Sequence, residues 1–164
     1  MSESEHLSKT LLDLFIDVDN GWFTSIATAV QGLTAEQAAT APAKGFNSVW
    51  AVLNHVWIIQ KKILHKLQGK QLEPDANSMA YDWPSFDNPM DESAWQAACE
   101  RAAAVNQELA QFIANMPPQV LAQPVAASQA DAWQLIQGLI GHNSYHACEI
   151  ISIRHLLGLW LENV

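Results

Sequence analysis

Apolar residues recur along most of this chain at intervals of three and four, the spacing that keeps side chains on one face of an α-helix. The first such run extends from Leu7 to Val30, with Leu7, Leu11, Leu14, Val18, Trp22 and Ile26 in step, and stops at Gly32. Thr34-Ala-Glu-Gln37 follows at once with capping-box spacing and predicts a short helical turn ahead of Pro42. A second run begins at Asn47-Ser48, both good N-caps, and continues to Leu67 before Gly69. From Lys70 to Met90 the pattern dissolves into Pro, Asp, Asn, Tyr and Trp, a loop of about twenty residues, longer than compact domains keep without a reason. The third run, Glu92 to Asn115, carries Trp95, Cys99, Ala102, Val105, Leu109 and Phe112 on one stripe and ends before Pro117-Pro118. Ser128 can cap the fourth, which reaches Leu161. Nothing alternates with the period of a strand. The pattern predicts an all-α four-helix bundle with a long loop between its second and third helices, one domain spanning residues 1–164.

Composition narrows the partners. The chain has 164 residues, 49% of them apolar, enough for a proper hydrophobic core. It carries 8 basic and 17 acidic residues, a formal net charge of −9, which repels nucleic-acid phosphates and anionic lipid. Lys61, Lys62, Lys66 and Lys70 are the one basic concentration, and it is thin. No apolar run approaches the length that spans a bilayer. The opening MSESEHLSKT lacks the basic start and apolar stretch of a signal peptide. Cys99 and Cys148 fall in helical patterns and read as free buried thiols in a reducing, cytoplasmic setting.

Against this background one segment stands out chemically. His142-Asn-Ser-Tyr-His146 lies inside the fourth apolar run, and two histidines four residues apart share a helix face one turn apart. At about 100° per residue, His146 lies about 40° from His142 round the axis and Glu149 about 20° on the other side, among Leu135, Leu139, Ile153 and Leu157. His55 occupies a core-facing stripe of the second helix with Val52, Ile59 and Lys62. Buried imidazoles cost free energy unless each finds a partner, and either a carbonyl or a metal ion would serve. Three histidine ligands leave coordination positions open, as catalytic sites do. His6, His65 and His155 fall away from these stripes. Glu149 reads as a neighbour of the metal with acid–base capacity or as a carboxylate paired at the bundle surface. Cys148 is turned away from the stripe. Tyr145, about 60° off it, reaches the rim of a pocket or simply packs.

Several stretches together resemble the DinB-like (YfiT-like) family of four-helix-bundle metalloenzymes over nearly the whole chain. They are Gly32-Leu33-Thr34-Ala-Glu-Gln37, Asn47-Ser-Val-Trp-Ala-Val-Leu-Asn-His55, Asp82-Trp83-Pro84, His142-Asn-Ser-Tyr-His146-Ala-Cys-Glu-Ile150 and Arg154-His-Leu-Leu-Gly158. The resemblance implies a metal triad of one histidine in the second helix and an HxxxH pair in the fourth, which maps onto His55, His142 and His146. Family members commonly carry Gly-Gln where this chain has Cys148-Glu149, so an acidic group replaces a neutral one beside the site. Characterised relatives include enzymes that use a divalent metal to activate a low-molecular-weight thiol for S-transfer or isomerisation, and many others have no established reaction.

The expectation is therefore a metal-dependent enzyme acting on a small molecule, with zinc, nickel or iron at the three histidines. A thiol would be activated for S-transfer or, second, a water for hydrolysis, with Glu149 as proton shuttle and Tyr81, Trp83 and Tyr145 lining the substrate pocket. Phe86 belongs to the same loop. The rival expectation is a non-catalytic dimeric bundle, an interaction or metal-binding module that holds a metal structurally or not at all and acts through association. Ile136, Ile140, Ala147 and Ile151 on the fourth helix, and Trp50, Leu53, Trp57 and Leu64 on the second, form further apolar faces that suggest a homodimer under either reading.

Overall fold

In the computed structural model the described residues are 1–16, 23–71, 79–85, 87–126 and 128–161. They form eight helical segments: α1 (Glu3–Phe15), α2 (Ile26–Val30), α3 (Ala35–Ala39), α4 (Val49–Leu67), α5 (Met79–Asp82), α6 (Glu92–Ala114), α7 (Pro118–Leu121) and α8 (Ala132–Leu156). The all-α expectation holds. The long helices close a ring, α1 against α6 and α8, and α4 against the same two. One end of the core gathers Phe15, Trp50, Trp95 and Ile150, and the other gathers Leu11, Leu64, Leu109 and Ile136.

Local chemistry sets most boundaries where the sequence puts them. Ser48 caps α4 by accepting from the Ala51 amide at 3.2 Å, and Gly69 beyond its end has φ +68°, a left-handed conformation that glycine adopts freely. Thr34 and Gln37 form the predicted reciprocal box at the start of α3. Asp91 caps α6.

The first apolar run is not one helix. α1 ends at Phe15, and α2 starts afresh behind the buried Ser25, whose hydroxyl accepts from the Thr28 amide at 3.1 Å. A serine that can bond its own backbone offers the chain an alternative to continuing a helix. The apolar spacing carries on regardless because Phe15, Ile26 and Val30 all face the same core. Val18 and Trp22 lie outside the described residues. The start of the last helix also moves. Asp131, not Ser128, caps α8 and completes a box with Gln134, while the Ser128 hydroxyl accepts from Ala130 in the turn before it. A charged carboxylate is favoured at the positive end of a helix. α8 then stops at Leu156 rather than Leu161. Gly158 takes φ +73°, and the Leu159 amide returns to the Arg154 carbonyl at 2.8 Å.

Arg154 is buried and spends its guanidinium on carbonyls, those of Ala29 and Gln31 at the end of α2 and that of Leu159. It satisfies orphan groups at two helix ends at once. Between α4 and α6 the expected loop contains the short α5; residues 72–78 and Phe86 lie outside the described residues.

Burial bears on two of the expectations. Trp50, Leu53 and Leu64 are buried within the chain, as are Ile136 and Ala147, so the faces on which the dimer expectation rested are largely covered by this chain's own helices. Trp57 lies beneath the Arg101 guanidinium, 4.7 Å from its ring centroid. Cys148 is exposed, on the side of α8 turned away from the histidine stripe, and Cys99 is half-buried. No helix of the described residues is long and apolar enough to cross a membrane.

Candidate metal centre

α4 and α8 pack side by side and bring His55, His142 and His146 together, with one ligand-capable atom of each within 4.8 Å of the others. Their ring centroids are 4.4 to 5.0 Å apart. His55 and His146 are buried and His142 half-buried. The Nε2 atoms of His55 and His142 approach to 3.0 Å, a spacing that two nitrogens on one ion also show when each bond is about 2.0–2.1 Å long. Among the described residues this is the only group of three or more His, Cys, Asp or Glu side chains close enough to share an ion.

The rings are held from behind. His55 Nδ1 donates to the Asp82 carbonyl at 2.7 Å, and Lys62 pins the Asp82 carboxylate at 2.7 Å. The Trp83 ring lies flat on His55, centroids 4.0 Å apart and planes 5° from parallel. His146 Nδ1 meets Glu149 Oε2 at 2.7 Å, and Asn47 Nδ2 donates to the other carboxylate oxygen at 3.1 Å. A carbonyl or carboxylate on Nδ1 keeps the proton there and turns the Nε2 lone pair towards a metal.

Burial pushes the His142 ring down to about 4, helped by the neighbouring charges of His146 and His55. Burial also lowers His55, against the opposing bond to Asp82. Both rings are therefore neutral at neutral pH, the form that ligates, and protons compete for them only below the ordinary histidine range.

The other predicted site residues are placed unevenly. Glu149 is beside the cluster, with both oxygens engaged. Trp83 contributes a wall. Tyr145 is 69% exposed and touches the edge of His146, centroids 5.0 Å apart, so it sits at the rim. Tyr81 is half-buried in α5, one residue before Asp82. A cavity of about 380 Å³ lined by Phe15, Ile26, Leu53, Trp95 and Cys99 includes none of these residues. His6, His65 and His155 stay outside the cluster, His155 stacking on Trp160 at 4.2 Å.

Periodicity did not reveal the Asp82 carbonyl, because a backbone acceptor has no signature in the sequence. Gln60, Asn106 and Asn143 also escaped it, though all three are wholly buried. Their signal was available. Asn143 stands four residues after Leu139 and three before His146, a polar side chain in the middle of the apolar stripe.

The family model for the DinB superfamily matches residues 23–150, most of the chain and all three histidines. No curated protein and no solved structure matches. The chain belongs to the DinB superfamily.

Proposed function

We propose that this DinB-superfamily protein is a metal-dependent enzyme in which His55, His142 and His146 hold one divalent ion, and that its substrate is a low-molecular-weight thiol activated for S-transfer. The observation that carries the reading is the convergence of three imidazoles, two of them with Nδ1 already committed to an oxygen. Such an ion, bound by three neutral nitrogens, supplies a Lewis acid with open positions that favours the thiolate or hydroxide form of what binds there. Thiol chemistry rests on resemblance to characterised relatives; hydrolysis by an activated water is the second reading.

The chain's own residues have distinct tasks in this proposal. Asp82 and Glu149 hold protons on the far nitrogens of His55 and His146, so each ring presents a lone pair. Trp83 prevents rotation of His55 and keeps water from one side of it. Glu149, fixed by Asn47, is the group that accepts the proton released when a thiol or water enters, and Tyr145 meets the substrate at the rim.

Elemental analysis of untagged protein, followed by cobalt loading and titration with small thiols, tests the reading. About one metal per chain and a thiolate-to-cobalt absorption band support it. Silence across thiols, together with no hydrolysis of esters, would leave the bundle as a non-catalytic binding module. Glu149→Gln should weaken metal affinity roughly ten- to a hundredfold, as loss of a carboxylate behind a ligating histidine does. Unchanged affinity would remove Glu149 from the centre.

A further inference from the structure

Two of the three histidines have an oxygen for the ring nitrogen that faces away from the shared point. His142 does not. Its Nδ1 is buried with no hydrogen-bond partner among the described residues. The Asn143 side chain is near enough to the ring to favour its protonated form, yet Asn143 Oδ1 is itself buried without a partner.

Asn143 belongs to a cluster of three amides at the junction of α4, α6 and α8, each with essentially no exposed surface. Gln60 Oε1 accepts from Asn106 Nδ2 at 2.7 Å and from Asn143 Nδ2 at 3.5 Å. This leaves Gln60 Nε2, Asn106 Oδ1 and Asn143 Oδ1 buried and unpaired. Exchanging oxygen and nitrogen in all three amides preserves both contacts and again leaves three atoms unpaired, while exchanging any one alone sets like against like. No orientation of the amides satisfies the cluster from within. Buried polar groups left this way are costly, and native interiors satisfy them with protein or trapped water.

The unpaired set is balanced. With an ion on Nε2, His142 carries its proton on Nδ1, so Gln60 Nε2 and His142 Nδ1 are donors, and Asn106 Oδ1 and Asn143 Oδ1 are acceptors. Water accepts two hydrogen bonds and donates two. The geometry points to a buried water site between α4, α6 and α8: we propose that one water joins His142 Nδ1 to the Gln60–Asn106–Asn143 amides and serves as the third support behind the histidine triad. Buried waters commonly make about three such bonds.

Water suits His142 better than a fixed acceptor would. Without an ion, the bond from His55 Nδ1 to Asp82 leaves His55 Nε2 as an acceptor, so the 3.0 Å contact requires the proton on His142 Nε2. His142 Nδ1 then needs a donor. When the ion is bound, it needs an acceptor. A water reverses its role by turning, giving up one amide oxygen as it does so, whereas an amide would have to flip inside a packed core.

This inference rests on the three-histidine reading for its purpose but not for its first test. A high-resolution crystal structure of the metal-free protein should show a water within about 3 Å of at least three of the four atoms. Amides in direct contact with His142, with no density between them, would overturn the proposal whatever the protein does with metals. In zinc-loaded protein, the His142 Nδ1 proton should give a resonance protected from exchange. Asn143→Leu and Gln60→Leu should each weaken zinc affinity by roughly ten- to a hundredfold with helicity retained, the range for groups that orient ligands. Affinity within about twofold of wild type in both folded variants would deny the water its supporting role. A wild type that binds no metal but shows the water would overturn the proposed function and leave the site standing.

Discussion

The bundle treats buried polar groups in opposite ways on its two sides. Where α1 meets α6, Ser4 and Ser8 are buried, and each hydroxyl donates at 2.8 Å to a carbonyl, of Met116 and of Ala110. Around them Leu7, Leu11, Leu109 and Ile113 pack in one buried apolar cluster. Where α4 meets α8, three imidazoles and two wholly buried amides share the seam, and several of their atoms have no partner among the described residues. The first seam is closed chemically and adds only stability. The second leaves hydrogen-bonding and ligating capacity that the described side chains do not use among themselves, which costs stability unless water or an ion takes it up. The difference sets a seam that pairs its buried serines against one whose histidines lie close enough to share an ion.

The sharpest way to break this comparison is to remove a ligand. His55→Ala should cut metal affinity by more than about a hundredfold, beyond the range seen when only a supporting group is lost, while circular dichroism keeps its helical signal. A bound metal surviving this change would dissolve the functional side of the contrast. Leu11→Ala, in the other seam, removes a side chain with no exposed surface and should cost about 2–5 kcal/mol in urea unfolding. Metal stoichiometry of the folded fraction should not change.

Acid should distinguish the seams next. His142 is held near 4 in the folded chain against an ordinary 6.5, so the unfolded chain takes up the proton more readily. The metal-free protein therefore keeps its full histidine contribution above about pH 6.5 and loses on the order of 2 kcal/mol as pH falls towards 4, once partial solvent contact is allowed for. His55 adds in the same direction. A melting temperature that is flat from pH 7 to about 4.5 would contradict this. The smallest effect belongs to Ser8→Ala, about 1 kcal/mol, with metal affinity unaltered. A metal effect from that substitution would show that the two seams are coupled.

Much of this was legible in the residues. The Ser48 and Thr34 caps act locally, so their spacing sufficed to place α4 and α3. Histidines four apart on a helix must share a face, so His142 and His146 could be paired without a structure. The break before Ser25 was hidden because the apolar spacing persists on both sides of it. Ser128 was misread because Asp131, three residues on, makes a better cap. The apolar faces of the second and fourth helices, on which the dimer expectation rests, are largely used within this chain, which periodicity cannot foresee because it counts faces without knowing how many neighbours a helix has. α4 and α8 each have two long neighbours in the ring and bury more than one face.

The sequence by itself determined which side chains could act: their chemistry, their helix, and their position round its axis, all of which follow from covalent order and a fixed helical pitch. Only the tertiary structure decided what they meet. The distance from His55 to His142, the Asp82 carbonyl behind one ring, Glu149 behind another and the amides near the third depend on how α4, α5, α6 and α8 are set against each other. That arrangement is fixed by packing across the whole core, which no local pattern encodes.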